Sequence, residues 1–502
     1  MLTHRAGYHS HNMSRPEQSV SSDGRPNVLL IILDSVRAEN CSTYGYQRET
    51  TPFLTEFAEK ASTLYEQARA PSIHSIASHA SIFSGYHVEE HQVTEHTSYL
   101  NPSANIFHEL SHKHGYSTAM FSPNVVITEA SNLGDCFDTK VGPKRTKFRI
   151  FDEGISPMDL EGEVNSKRFL REALAHDKPV QSILNGLYSK LTPHGGSHDP
   201  SSESGGVYVD EFFDWLNERE SPWGACLNLM DAHSPYAPEP EHNKWASQDL
   251  VEVYEDVQNA SKIESFSDEF WEKLSSLKPL YDGCIRQADA VVSDLVDRLR
   301  DVEEYENTLL VITSDHGEAF GEKSRLSEAR LRGHSWGIGE VQTHVPLLVK
   351  HPNQETSNTV ENVATLTQFA QVVKRTISDD SSIPSFVPDE NQVISSTYRI
   401  KPPGDELPLD ESDREPYFGP WRAVYRDDNL GVLKCATRRD DTGTFRIRGT
   451  GNVEEIENDD SATVVKDIFQ HLRDDVQAVG NANERKLAED VEDKLADLGY
   501  LR

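Results

Sequence analysis

The chain has 502 residues, enough for a large catalytic domain and a smaller companion. Its 83 acidic residues outweigh 49 basic ones, for a formal charge of −34 spread along the whole length. Such a surface repels nucleic acid and anionic lipid. It suits a cytoplasm of very high salt, where repulsion is screened over about 3 Å at 1 M, so a halophilic source is expected.

Residues 1–25 are polar and rich in His and Ser, with no apolar core of a secretory signal. They read as a disordered lead-in, and His4, His9 and His11 within it make only a weak metal-like tract. No stretch approaches the roughly 20 apolar residues of a membrane span, so the expected location is cytoplasmic. Five scattered cysteines (Cys41, Cys136, Cys226, Cys284 and Cys435) suggest neither a disulfide framework nor a zinc knuckle.

In chain order, NVLLIILD (Asn27 to Asp34) predicts a buried strand ending in a carboxylate. The stretch from Thr50 to Ser62 opens on capping residues and continues with helical spacing. TLYEQARA predicts a short strand. HSIASHASIFSG predicts a helix closed by Gly85, and SANIFHELSHKHG one closed by Gly115 and followed by strand YSTAMFS. From 141 to 206 the pattern weakens and HGGSHDPSSESGG appears, which predicts an insertion with a mobile loop. VYVDEFFDWLNERE predicts an amphipathic helix leading into strand WGACLNLMD. A long helix over roughly Pro279 to Leu299 precedes strand NTLLVITSD, which ends in Asp315. After about Val387, β-rich runs separated by DDNLG and DDTG predict an antiparallel sheet, with an amphipathic helix over residues 481–502. The expected fold is therefore α/β: a central mixed, mainly parallel sheet sandwiched by helices, with a small antiparallel C-terminal subdomain. The corresponding division is lead-in 1–25, catalytic domain 26–386 and C-terminal subdomain 387–502.

Functional groups gather at the carboxyl ends of strands in open α/β sheets. Three strand ends carry similar polar cargo here: Asp34, then Asp231 with His233, then Asp315 with His316. Any one of these aspartates could simply cap the turn that follows. Together, Asp34, Asp315 and His316 suit one divalent ion: the oxygens permit Ca²⁺, Mg²⁺ or Mn²⁺, and the imidazole tilts toward Mn²⁺ or Zn²⁺. Ser75, at the start of a helix, is either an N-cap or a hydroxyl nucleophile activated by that ion. His79 follows one turn later on the same face. His79, His233 and His334 could each contact ester oxygens or protonate a leaving group. Tyr281, Arg286 and Asp289 have helical spacing and read as packing and ion-pair residues.

These segments together resemble the sulfatase family of the alkaline phosphatase superfamily, and the acidic surface suggests a haloarchaeal type. NVLLIILDSVRAENCSTYGY resembles the family's opening strand and loop, and PSIHSIASHASIFSG its nucleophile segment. NLMDAHSPY resembles its D-x-H-x-P-Y strand, LLVITSDHGEAFGE its S-D-H-G-E segment, and GHSWGIGEVQTHVPLLV the loop and strand that follow. The resemblance spans roughly Pro26 to Arg502. It implies metal ligands at Asp34, Asp315 and His316, and Ser35 stands where many members have a further Asp ligand. It places the nucleophile at Ser75, ester contacts at His233 and His334, and substrate contacts at Arg37 and Asn124. Arg37 could instead brace the metal loop.

Departures bear on the chemistry. The C-x-P-x-R pattern, whose first residue sulfatases oxidise to formylglycine, is replaced by Ser75-Ile76-Ala77-Ser78-His79, so an unmodified serine is expected. His334 stands where arylsulfatases often use Lys. That exchange, with His316 in place of Asn, resembles the phosphodiesterase and phosphonate-hydrolase branch. The first expectation is a metal-dependent hydrolase of sulfuric esters acting on small-molecule or glycan esters. The alternatives are a phosphodiesterase, phosphonate hydrolase or phospho-group transferase on the same fold, and a metal-binding pseudoenzyme.

Overall fold

The computed structural model describes residues 24–143, 154–155, 166–191, 204–219, 222–261, 264–378, 383–398, 414–457, 460–474, 479–481 and 491. Most of the expected lead-in, the Gly/Ser-rich loop of the insertion and nearly all of the expected terminal helix lie outside the described residues.

Eight strands form the main sheet: β1 (Asn27–Leu33), β2 (Thr63–Arg69), β3 (Ser117–Phe121), β4 (Thr139–Val141), β5 (Trp223–Leu229), β6 (Thr308–Thr313), β7 (Leu347–Lys350) and β8 (Asn358–Thr365). Their spatial order is β8–β2–β7–β6–β1–β5–β3–β4. Only β7 breaks the parallel arrangement, running antiparallel to both β2 and β6. The sheet is mixed and mainly parallel, as the sequence predicts.

Every residue of β1 is buried, because helices cover both faces. These include α1 (Pro52–Lys60), α2 (Ser75–Ser84), α3 (Ile106–His114), α4 (Gly205–Asn217), α5 (Lys278–Asp301) and α6 (Phe369–Thr376). Successive β1 side chains alternate between the two cores. Leu29, Ile31 and Leu33 join Phe212 of α4 and Val296 of α5, whereas Val28, Leu30 and Ile32 join Phe83 of α2, Phe107 of α3 and Phe369 of α6. Helix α2 stops where its glycine allows. Gly85 adopts φ 79°, and its N–H donates to Ser81 O at 2.8 Å. Asp289 proves to be a remote cap: its carboxylate accepts from the backbone N–H groups of Phe53 and Leu54 at the start of α1, both at 2.9 Å. Two further helices, Ser166–Ala175 and Pro179–Leu191, occupy the stretch read as an insertion. Among the described residues no helix is long and apolar enough to cross a membrane.

The C-terminal sheet is antiparallel, in the order β9 (Val393–Thr397), β10 (Trp421–Asp428), β11 (Gly431–Arg438), β12 (Asp441–Arg448) and β13 (Asn452–Ile456). Helix α7 (Ser461–Asp474) packs Val465 and Phe469 against Ile394, Val424 and Cys435. The DDNLG turn falls as expected, at Asn429–Leu430. The DDTG expectation needs correction, because the tight turn is Arg439–Asp440 and Asp441 already pairs with Arg438 in the ladder. Arg439 takes the left-handed position, φ 51°, and the Arg438 guanidinium clasps Asp441 across the turn. Three arginines of this sheet are engaged with protein partners. Arg438 and Arg439 pair with Glu415, and Arg422 reaches Tyr398 and faces Glu89. The two sheets are joined by a buried ion cluster in which Glu340 lies between Arg69, 3.0 Å away at the end of β2, and Lys434 of β11, also at 3.0 Å.

Candidate functional site

Strands β6, β1 and β5 are adjacent and parallel, so their carboxyl ends open side by side. Asp34 follows β1, Asp315 and His316 follow β6, and Asp231 and His233 follow β5. The ligand atoms of Asp34, Asp315 and His316 all lie within 4.8 Å of one another, and all three residues are fully buried. Ser35 shapes this floor. Its left-handed backbone, φ 66°, lets its N–H donate to Asp315 Oδ1 at 3.3 Å while its Oγ donates to Asp34 Oδ1 at 3.0 Å. The Tyr281 hydroxyl locks the turn by donating to Ser35 O at 2.7 Å.

The cluster fits a divalent cation by its own chemistry. Asp315 Oδ2 is buried and makes no hydrogen bond, a costly state unless something positive completes it. Burial works against the ionised form of Asp34, but the imidazoles of His233, His316 and His79 and the Asn228 amide outweigh it and hold its carboxyl at about 2. His316 Nδ1 faces Gly317 O at 3.1 Å, so that nitrogen carries the proton and Nε2 presents its lone pair to the cluster.

Ser75 is the first residue of α2, and its Oγ lies 3.1 Å from His316 Nε2. The helix N-terminus there favours an anionic ester. His79 comes to the same place but lies beneath it, fully buried. Its Nδ1 faces Ser75 O at 2.8 Å, its Nε2 faces Asn228 Oδ1 at 3.2 Å, and its ring packs edge-on against Phe83.

One side of the site is walled by imidazoles. The ring of His334 stands 4.5 Å from that of His316 and 5.3 Å from that of His233. His334 Nδ1 lies 2.9 Å from Glu318 Oε2, and burial, then His316, push its pKa below the usual imidazole range against the pull of Glu318. His233 Nδ1 faces Ser234 O at 2.6 Å, and its Nε2 is buried without a hydrogen bond.

Asn124 touches the floor, its amide donating to Asp34 Oδ2 at 3.2 Å. Arg37 is 2% exposed and is spent on protein partners: NH1 donates to Glu318 O at 3.0 Å and to Glu322 Oε1 at 2.9 Å, and Nε donates to Asn40. Of the two roles open to Arg37, these contacts are those of a brace. Sequence reasoning missed Asn228, Glu318 and Tyr236 and read Tyr281 among packing and ion-pair residues. Asn228 was detectable as the polar interruption inside the apolar strand WGACLNL, and its amide donates to Asp34 Oδ2 at 3.2 Å. Glu318 was detectable as the next charged residue after His316. Tyr236 was detectable as the tyrosine that closes the D-x-H-x-P-Y segment, and nothing in the local pattern marks Tyr281.

Comparison with known proteins gives the family. A family model described as Sulfatase matches residues 26–386, well over half of the chain. Arylsulfatase K of Canis lupus familiaris is 22% identical over 400 residues, covering 75% of this chain and 69% of that protein. An arylsulfatase of Clostridium perfringens is 24% identical over 318 residues, covering 59% and 64%. Among solved structures, the phosphonate monoester hydrolase of Agrobacterium radiobacter superposes with a TM-score of 0.57 at 16% identity, covering 90% of this chain and 96% of that one. The superposition bears on fold alone, and it agrees with the mixed sheet described above. The quoted motifs from the opening strand to the strand after Asp315 all fall within the residues matched by the family model, and the chain belongs to the Sulfatase family.

Proposed function

We propose that this protein is a metal-dependent hydrolase of sulfuric esters in which unmodified Ser75 is the nucleophile. The observation that carries the reading is the placement of Ser75 Oγ at the N-terminus of α2, 3.1 Å from His316 Nε2, which itself lies 3.3 Å from the orphaned Asp315 Oδ2. Asp34, Asp315 and His316 would hold one divalent cation, Ca²⁺ or Mn²⁺ first and Mg²⁺ or Zn²⁺ as further fits. When bound, that ion supplies charge for the ester oxygens and acidifies a nearby hydroxyl. Ser35 and Asn124 orient the two carboxylates, and Arg37 braces the turn that carries them. Ser75 attacks in line, giving an enzyme ester on its oxygen. His334 or His233, each with Nδ1 already facing a protein oxygen, would in its doubly protonated form donate the Nε2 proton to the departing alkoxide. Water then releases the anion from Ser75. His79 supports the Ser75 backbone from below. Residues 26–386 form the catalytic domain in this reading, and residues 387–502 a structural subdomain. The substrate is a small-molecule or glycan ester, met in a salty cytoplasm.

A second reading, phosphonate or phosphodiester hydrolysis or phospho-group transfer, is favoured by one specific feature. Ala77 and His79 stand where proline and arginine of the formylglycine pattern would be, leaving a plain serine. A phosphoserine is released readily by a second in-line attack, whereas a sulfoserine is harder to resolve. The intact carboxylate–imidazole cluster argues against a pseudoenzyme. The test is turnover of matched aryl sulfate, phosphate monoester, phosphate diester and phosphonate substrates in molar salt, with and without Mn²⁺ or Ca²⁺, beside Ser75→Ala. Metal-dependent sulfate cleavage lost in the variant supports the first reading. Phosphorus-ester cleavage alone moves the enzyme to the second, and no turnover of any ester removes both hydrolase readings.

A further inference from the structure

The carboxylate of Glu318 is held from two sides. Its Oε2 lies 2.9 Å from His334 Nδ1, and its Oε1 accepts from the Tyr236 hydroxyl at 2.7 Å. Glu318 and Tyr236 are each 5% exposed. The Glu318 carbonyl is pinned in turn by Arg37 NH1 at 3.0 Å. The chain approaches closely here because of Gly333. At φ 54° this residue brings the loop bearing His334 against Glu318, and a Cβ on it would lie 3.1 Å from Glu318 Oε1. An imidazole can carry its proton on either nitrogen, and a carboxylate only accepts. Glu318 therefore selects among arrangements that are otherwise open to the ring.

We propose that Glu318 is a positioning residue that fixes the tautomer and ring orientation of His334, keeping the proton on Nδ1 and leaving Nε2 as the nitrogen offered to the ester. The inference rests on the reading of His334 as a group that meets the substrate, and Tyr236 and Arg37 hold the carboxylate in place for it. The geometry parallels the buried acid behind a catalytic histidine, where the acid sets the tautomer without touching substrate.

The tautomer is read directly on the full chain, without turnover. Long-range proton–nitrogen correlation spectra of protein carrying isotopically labelled histidine are recorded where the ring is neutral, and His334 is identified by the signal lost in His334→Gln. The wild type should show Nδ1 protonated and Nε2 bare. Glu318→Gln, whose amide oxygen still accepts, and Tyr236→Phe should keep that pattern. Glu318→Leu should move the proton onto Nε2 in a substantial fraction of molecules. A wild-type His334 protonated on Nε2 overturns the proposal even if Glu318→Leu does not fold, as does a folded Glu318→Leu with an unchanged tautomer. On whichever aryl ester the enzyme cleaves, Glu318→Leu should slow the phenyl ester by about 100-fold in kcat and the para-nitrophenyl ester only a few-fold, because the acid form of His334, protonated on both nitrogens with Nδ1–H on Glu318, is no longer held toward the leaving oxygen and the better leaving group needs less protonation. Equal loss on both would mark a packing role and overturn the proposal. If the wild type cleaves no ester, the hydrolase reading falls while the spectra still decide the role of Glu318.

Discussion

The floor of the site and the junction between the two sheets are both buried and both charged, yet they treat charge differently. At the junction, Glu340 lies between Arg69 and Lys434, which hold its carboxyl down to about 2 against the effect of burial. On the floor, Asp34 and Asp315 share one small space, and an oxygen of Asp315 is left without any hydrogen bond. A junction in which each carboxylate oxygen has a cation 3.0 Å away holds a fold together. A floor that gathers two carboxylates, with only imidazoles and amides beside them, is arranged to receive a cation from outside. The same substitution should therefore have opposite consequences in the two places.

The largest expected effect is on turnover. Asp315→Asn should lower kcat by at least about 100-fold, in keeping with loss of a principal electrostatic element. Its melting temperature in chelator should stay level or rise, because one of two crowded carboxylates has gone. A clear fall in stability would erase the contrast. Glu340→Gln should do the reverse. Removing the middle charge leaves Arg69 and Lys434 buried and facing each other, at a cost of about 3–5 kcal/mol in urea unfolding, while kcat on an aryl ester stays within a few-fold. Adding Mn²⁺ or Ca²⁺ sharpens the comparison from the other direction. At about 100 times its dissociation constant, a cation that binds only the folded protein adds about 2.7 kcal/mol, and Asp315→Asn should abolish that gain while Glu340→Gln keeps it.

The smallest effect is a slope against pH. Burial pushes His91 and His344 down to about 3 and His351 to about 4, all from 6.5. Unfolded, these rings take up protons below pH 6.5. Folded, they do not, so the unfolded state binds more protons in that window. The stability they contribute is complete above pH 6.5 and is lost as pH falls toward 4. His344→Gln should flatten the fall in melting temperature between about pH 7 and 5, and an unchanged slope would show that this imidazole is already protonated in the native state.

Much of this architecture was legible in the chain. The run NVLLIIL, apolar on both alternating faces, could only be a strand covered on both sides, and β1 is buried throughout. Gly85 and Gly115 announced the ends of their helices and adopt φ 79° and 69° there. The aspartates at strand ends were visible as carboxylates closing apolar runs, and adjacency of the strands brought two of them together. The DDTG turn was misjudged because a two-residue hairpin needs only one residue with the right backbone, and Arg439 supplied it ahead of the glycine.

What the sequence determined by itself was therefore the class of fold, the family and the chemical inventory of the site, because periodicity and motif are local properties. Only the tertiary structure decided which atoms finish which others. Asn228 was needed to reach Asp34 from the neighbouring strand, Tyr281 to lock the Ser35 turn from a helix 246 residues away, and Glu318 with Tyr236 to claim one nitrogen of His334. Hydrogen bonds act over about 3 Å whatever the separation along the chain, so partners of this kind leave no periodic trace and appear only when the strands and helices have closed around them.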